Sequence, residues 1–159
     1  MDQVRLSRWL KAIIIGTGIC GTVIYFLVFP MIGKDIVSDY PEFHSWYWPW
    51  LIFLWITAVP CYIALVSGWK IAADIGRDHS FSFQNANRLK LISILAAADA
   101  ILVFAGNLIF LFLNMSHPSV FLMALLVVFG GIVLSVVFAA LSHMVLKAAK
   151  LREENELTI

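Results

Sequence analysis

Charged side chains are scarce in this sequence of 159 residues: Asp, Glu, Lys and Arg make up 13% of it, whereas apolar residues make up 62%. Soluble domains carry about 25% charged residues and about 45–50% apolar ones. Because a protein this small has a high ratio of surface to volume, it could not bury so much apolar side chain in a core of its own. The composition therefore argues against a water-soluble domain and predicts an integral membrane protein.

Residues that commonly bind metals are also few, with two cysteines and four histidines. Cys20 and Cys61 lie in apolar runs without the spacing of a metal or redox pair, so we interpret them as packing residues. The histidines do not place two rings at facing depths of a membrane, as a haem would require. We therefore expect no metal and no cofactor. The formal net charge of +1 gives no reason to expect direct nucleic-acid binding.

Catalytic sequence motifs are missing, since there is no P-loop, HExxH, CxxC or nucleophile elbow. Residues 16–21 (GTGICG) do match the dinucleotide pattern GxGxxG. That fold needs a strand, a turn and an amphipathic helix, whereas here an apolar run continues to Phe29. Small residues in a membrane helix let neighbouring backbones approach closely, so we interpret these glycines as packing positions. We expect no enzymatic activity.

Four long apolar runs dominate the chain, and each is close to the roughly 20 residues that cross a ~30 Å hydrocarbon core. Because lipid offers no partners to the backbone, such runs favour helices. We therefore predict an all-α integral membrane four-helix bundle, a single domain over residues 1–159. The predicted spans are 12–29, 46–69, 91–113 and 120–146, followed by a tail over 147–159. Pro30 is expected to end the first span, and Ser82 to cap the third helix.

The basic residues predict the orientation of these spans. Ten of the 11 Lys and Arg residues fall in the two ends of the chain or in the connection between spans two and three, and only Lys34 falls on the other side. Since cytoplasmic segments are enriched in Lys and Arg, both termini are predicted to be cytoplasmic. Trp46, Tyr47, Trp48 and Trp50 lie where the outer connection re-enters the membrane, as an interfacial aromatic belt would. The predicted location is the cell membrane, with multiple passes.

Asp99 is the only acidic residue inside a predicted span. A carboxylate at that depth costs roughly 2.5–3.5 kcal/mol on insertion scales, so we expect a neutral, hydrogen-bonded side chain. Matching depths place Thr17, Tyr62 and Ser135 near its level, and Asn107 lies two turns further along the same helix. Two interpretations stay open: a group that fixes helix packing, which we favour because no basic partner or second acid lies within a span, and a site that handles protons or ions.

Gly131, Ser135 and Ala139 recur every four residues in the fourth span. Such a line of small residues predicts a close seam against another helix. A homo-oligomer that packs through the same line is an open alternative.

Two segments outside the spans carry a family resemblance: residues 76–90, where Phe81, Ser82 and Asn85 match a Phe-Ser/Thr-x-x-Asn helix start, and the Glu-Asn-x-Leu-Thr ending at residues 154–158. With the four-span layout they resemble a bacterial membrane family known as domain of unknown function 2975, over nearly the full chain. Genes of that family commonly neighbour one for a very small helix-turn-helix regulator of the Cro/repressor type. The resemblance therefore implies a protein of the bacterial cytoplasmic membrane, embedded in lipid, that binds and controls such a transcription regulator.

The predicted docking surface for this regulator lies on the cytoplasmic loop and the C-terminal tail. It comprises Arg77, Phe81, Phe83, Asn85, Glu153, Glu154, Asn155, Glu156, Leu157 and Ile159. In a competing interpretation the tail folds back on the loop and caps the bundle. The alternative functions are a small transporter, channel subunit or sensor that uses Asp99, and a purely structural membrane subunit.

Overall fold

Helices account for most of the structure, which is a computed structural model that describes residues 2–116 and 118–156, with Glu156 described by its backbone only. In chain order the elements are α1 (Gln3–Val23), a π-helical turn (Ile24–Val28), α2 (Phe29–Asp39), a 3-10 turn (Pro41–Trp46), α3 (Tyr47–Ile75), α4 (Phe83–Phe112) and α5 (Pro118–Glu156). Four continuous helical stretches are long and apolar enough to cross a membrane: Gln3–Asp39, Pro41–Ile75, Phe83–Phe112 and Pro118–Asn155. The predicted all-α, four-span architecture is confirmed, and the orientation of the termini stays a prediction.

The last helix is longer than a membrane is thick. With 39 residues, α5 extends about 58 Å at 1.5 Å per residue, whereas the hydrocarbon core measures about 30 Å. Its final turns, which include Glu153 and Glu154, therefore project beyond the lipid as a continuous helix. The described part of the tail does not fold back on the loop, so the capping interpretation fails for these residues.

Pro30 does not end the first span, contrary to the prediction. A π-helical turn over Ile24–Val28 precedes it, and α2 continues to Asp39. In a regular α-helix the proline ring clashes with the carbonyl four residues earlier, here that of Phe26. A π turn inserts one extra residue and displaces the carbonyls around it. The helix therefore passes the proline with a local widening.

The helices pack in chain order, α1 against α3, α3 against α4, and α4 most extensively against α5. Over the residues that the structure describes, no Cα atom of α1 comes within 8 Å of a Cα atom of α4 or α5. The bundle is therefore a row of helices that does not close on itself. Both outer helices expose many large apolar side chains, such as Ile13, Ile19, Leu126 and Phe129, to the space that lipid fills.

The seam between α4 and α5 uses small residues, as predicted. The Oγ atoms of Ser93 and Ser135 each donate to the other residue's carbonyl, at 2.8 and 2.9 Å. A methyl group at Gly131 would lie only 3.0 Å from the Cβ of Ala100. Ala139 is exposed, however, because a strict four-residue repeat drifts about 40° per step around a helix.

The seam continues instead through Ser142, whose Oγ donates to the carbonyl of Ala86 at 2.7 Å. Helix α4 thus packs against Gly131 and Ser135, the positions through which a second copy of the chain would have packed.

Candidate functional site

The α3–α4 loop, residues 76–82, is held in one conformation by side-chain hydrogen bonds. Ser82 Oγ accepts from the backbone N–H of Asn85 at 3.2 Å, which confirms the predicted helix cap. Asn85 Nδ2 donates to the carbonyls of His79, at 3.1 Å, and Ser80, at 3.3 Å. Asp78 within the loop adopts a positive φ of 62°, a conformation that Asp tolerates better than most residues. The first turn of α4 thus fixes the loop that precedes it.

A salt bridge ties the same turn to the end of α3. Arg88 Nη1 donates to Asp74 Oδ2 at 2.5 Å and to Asn85 Oδ1 at 2.9 Å. Asn85 is 1% exposed and is bonded on both sides of its amide. The expectation that Asn85 contacts a partner is therefore wrong for this conformation, because no partner could reach its side chain.

The start of α1 also holds the loop, which the sequence did not indicate. Gln3 Nε2 donates to Asp78 Oδ1 at 2.6 Å, and Ser80 Oγ donates to Gln3 Oε1 at 3.3 Å. One turn later, buried Ser7 donates to the carbonyl of Ala72 at 2.6 Å. Two segments far apart in sequence, the start of α1 and residues 72–88, therefore build one polar junction, and no spacing within either segment could have revealed it.

Several predicted docking residues remain exposed around this junction. Phe81 is 56% exposed and Phe83 is 41% exposed, and Arg77 is exposed beside them. Glu153, Glu154 and Asn155 are exposed on α5. The side chain of Glu156, together with Leu157 and Ile159, lies outside the described part of the chain.

The loop and the tail share one end of the molecule but stand apart along the helix axes. Ser142 lies beside Ala86, near the start of α4. Glu153 follows Ser142 by 11 residues, or about 16 Å along a helix. A partner that contacts both segments must therefore reach from the loop, near the start of α4, to the projecting end of α5, about 16 Å further along the helix axes.

A second candidate site lies at mid-depth, where Asp99 of α4 faces α3. Cys61 Sγ lies 3.8 Å from Asp99 Oδ2. The hydroxyl of Tyr25, in the π turn, is close enough to interact with Thr57, Cys61 and Asp99. The other carboxyl oxygen, Asp99 Oδ1, is buried without a hydrogen-bond partner among the described residues.

The polar residues expected around Asp99 bind elsewhere. Thr17 donates to the carbonyl of Ile13 in its own helix, at 2.9 Å. Tyr62 donates to the carbonyl of Gly18 at 3.2 Å. Tyr62 therefore belongs to the α1–α3 contact, whereas Thr17 is exposed on α1. Ser135 belongs to the α4–α5 contact, and Asp99 belongs to the α3–α4 contact. The sequence placed these residues at similar depths in the membrane, but they lie on different faces of the helices.

Asn107, two turns from Asp99, is buried and largely turned to its own helix. Its Nδ2 donates to the carbonyl of Val103 at 2.9 Å, and its Oδ1 has no hydrogen-bond partner within the described chain. Helix α4 therefore presents two buried oxygens that accept no hydrogen bond from the described residues, one each from Asp99 and Asn107.

A carboxyl beside a thiol and a phenol can exchange protons or hold a small polar molecule. In residues 2–116 and 118–156 no three His, Cys, Asp or Glu side chains come together as metal ligands. Cys61 contacts the carboxyl of Asp99 and Tyr25 lies close to both, so these three groups can carry proton transfer and hydrogen bonding.

The comparisons with known proteins agree with the resemblance in the loop and tail. An uncharacterized membrane protein of Bacillus subtilis (strain 168), YoaS, is 25% identical over 158 residues, which cover 98% of this chain and 99% of that protein. No solved structure matches the chain. Residues 31–159 match the family described as "Protein of unknown function (DUF2975)". With most of its length inside that match, the chain belongs to the DUF2975 family of membrane proteins.

Proposed function

We propose that this protein is a membrane partner of a small helix-turn-helix transcription regulator, which it binds and controls at its predicted cytoplasmic end. The observation that supports the proposal most is the fixed α3–α4 loop that displays Phe81 and Phe83. Exposed apolar side chains outside the lipid are typical of a protein-binding surface. A loop already fixed by Asn85 and Gln3 loses little conformational entropy when a partner binds.

Acidic residues add a charged surface to these apolar side chains. Glu153 and Glu154 lie on the projecting end of α5, beyond the loop. A regulator of this class carries a basic surface for DNA, and an acidic helix end attracts such a surface. Binding here would therefore compete with DNA, and the membrane protein would hold the regulator inactive.

Co-purification with a co-expressed helix-turn-helix regulator, of the kind that commonly neighbours genes of this family, tests this proposal. Phe81→Ser should weaken capture of the regulator, since Phe81 is exposed at the loop. Tyr40→Ser is the matched control, because Tyr40 is also 56% exposed but lies at the opposite end of the molecule. A truncation that removes residues 153–159 should weaken capture as well and make it less sensitive to salt. Undiminished capture by folded Phe81→Ser and by the truncated protein would refute the docking site.

Proton-linked sensing or transport is a second candidate function, favoured by the contact of Asp99 with Cys61 across two helices. A proton that enters at Asp99 would alter the α3–α4 contact directly. The test is proton uptake by vesicles that contain the purified protein, compared with Asp99→Asn. Equal proton fluxes in the two preparations, or none above empty vesicles, would exclude this function.

A further inference from the structure

An apolar cavity of about 410 Å³ lies at the end of the molecule opposite the α3–α4 loop. It opens between α2, the start of α3 and the connection from α4 to α5. This size is within the roughly 300–1,000 Å³ of typical small-molecule sites. Its walls are apolar and aromatic, and include Phe29, Ile36, Trp46, Trp50, Leu54 and Val120.

The cavity exists because the row of helices does not close. Helix α2 and the start of α5 would meet at this end of a closed bundle, whereas here the space between them is open. One wall of the cavity is preorganised by the contacts of Trp50. Its ring stacks on Phe110 with ring centroids 4.9 Å apart, and its Nε1–H donates to the carbonyl of Met115 at 3.2 Å.

A smaller polar pocket of about 320 Å³ adjoins the apolar cavity and shares Val37 and Tyr47 with it. Its other lining residues are Lys34, Ser38, His44 and Trp48. Lys34 and Ser38 are four residues apart on α2 and therefore lie on one face.

The acidic residues nearby do not line this pocket. Asp35 and Asp39 each follow a lining residue, about 100° around the helix, and Glu42 lies in the 3-10 turn. The pocket thus presents one fixed positive charge, a hydroxyl and an imidazole, directly beside an apolar cavity.

We propose that the two cavities together bind one anionic phospholipid. An acyl chain fills the apolar cavity, the phosphate diester pairs with Lys34 Nζ, and Tyr47 lies between head and chain. The neighbouring Trp46 and Trp48 belong to an aromatic belt, which places the polar pocket at headgroup depth. Gly33 keeps this arrangement open, because a methyl group there would lie 2.8 Å from the ring of Tyr47.

Lipid titration of the purified protein in uncharged detergent tests the proposal, independently of any regulator. Phosphatidylglycerol and phosphatidylcholine with the same short acyl chains would be compared by native mass spectrometry. We expect phosphatidylglycerol to bind more tightly. Lys34→Gln should weaken its binding about fivefold, since one basic residue near a lipid surface contributes about that much, and leave phosphatidylcholine unchanged. Lys70→Gln, an exposed lysine at the other end, is the control.

A second variant tests the apolar half of the site. Val120→Trp, at the start of α5, fills the cavity without a change of charge and should weaken both lipids. Equal affinity for the two lipids, or unchanged binding in folded Lys34→Gln, would overturn the proposal. Laurate that binds more tightly than phosphatidylglycerol would overturn it too, because the site would then belong to a free fatty acid.

Discussion

The indole of Trp55 on α3 donates its Nε1–H to the backbone carbonyl of Tyr25, at a distance of 3.1 Å. In the π turn the N–H of Phe29 bonds to the carbonyl of Ile24, five residues earlier. The carbonyl of Tyr25 would pair in the same way with residue 30, which is a proline without an N–H. Trp55 therefore supplies from a neighbouring helix the hydrogen bond that Pro30 removes.

We expect Trp55→Phe to lower the free energy of unfolding by about 1 kcal/mol, because it leaves the Tyr25 carbonyl unpaired while an aromatic ring still faces Phe26. Denaturation in mixed micelles measures the change. Trp48→Phe, at an exposed position, should have little effect.

Pro30→Ala should rescue part of the loss in Trp55→Phe, because alanine restores an N–H where the Tyr25 carbonyl needs one. A double-mutant cycle with the same unfolding measurement gives the coupling energy. The loss of unfolding free energy in the double variant should be smaller than the sum of the losses in the two single variants. Strict additivity would show that Trp55 does not replace the missing proline donor.

Asn85→Ala should loosen the α3–α4 loop and cost about 1–3 kcal/mol, since the carbonyls of His79 and Ser80 and the guanidinium of Arg88 lose their hydrogen bonds to a buried amide. Faster tryptic cleavage after Arg77 reports the loosening directly. Asn87→Ala is a matched control, because Asn87 is exposed. Equal cleavage rates in the two variants would contradict the role assigned to Asn85.

Gly106→Ala should destabilise the α3–α4 contact by about 1–3 kcal/mol, because a methyl group there would collide with the ring of Phe53. Gly130→Ala makes a good comparison, since a methyl group at Gly130 would meet nothing within 4 Å. Thermal unfolding of both variants in detergent should therefore separate them clearly, with only Gly106→Ala shifted downward.

Asp99→Asn should change the free energy of unfolding by less than about 0.5 kcal/mol, because an amide resembles a protonated carboxyl in shape and can also donate a hydrogen bond. A carboxylate, by contrast, only accepts hydrogen bonds. Unfolding in mixed micelles at neutral pH measures this. A loss above about 2 kcal/mol would mean that Asp99 is charged in the folded protein.

Cysteine labelling tests the predicted orientation. In a background without Cys20 and Cys61, Ser38→Cys should react with an impermeant maleimide in intact cells. Asn87→Cys should react only after the membrane is permeabilised. Both positions are exposed, so a failure to react is informative. Labelling of Asn87→Cys from outside would reverse the topology.

Local signals in the sequence were enough for the four spans and the Ser82 cap. Each depends on residues within one segment: an apolar run, or a hydroxyl before a helix. Pro30 was misread because its effect depends on Trp55, 25 residues away on another helix. The neighbours of Asp99 were misread because these helices are apolar on every side, so the sequence shows depth but not the facing side.

The open row also sets how the first span can respond to force. From Gln3 to Asp39 the chain is one helical rod of 37 residues, about 56 Å long, and within the described residues it packs on α3 without touching the backbones of α4 or α5. Its far end borders the lipid cavity through Phe29 and Ile36, and its near end bonds Asp78 through Gln3. A tilt of this rod would therefore displace the contact between Gln3 and Asp78 without repacking the tight α4–α5 pair.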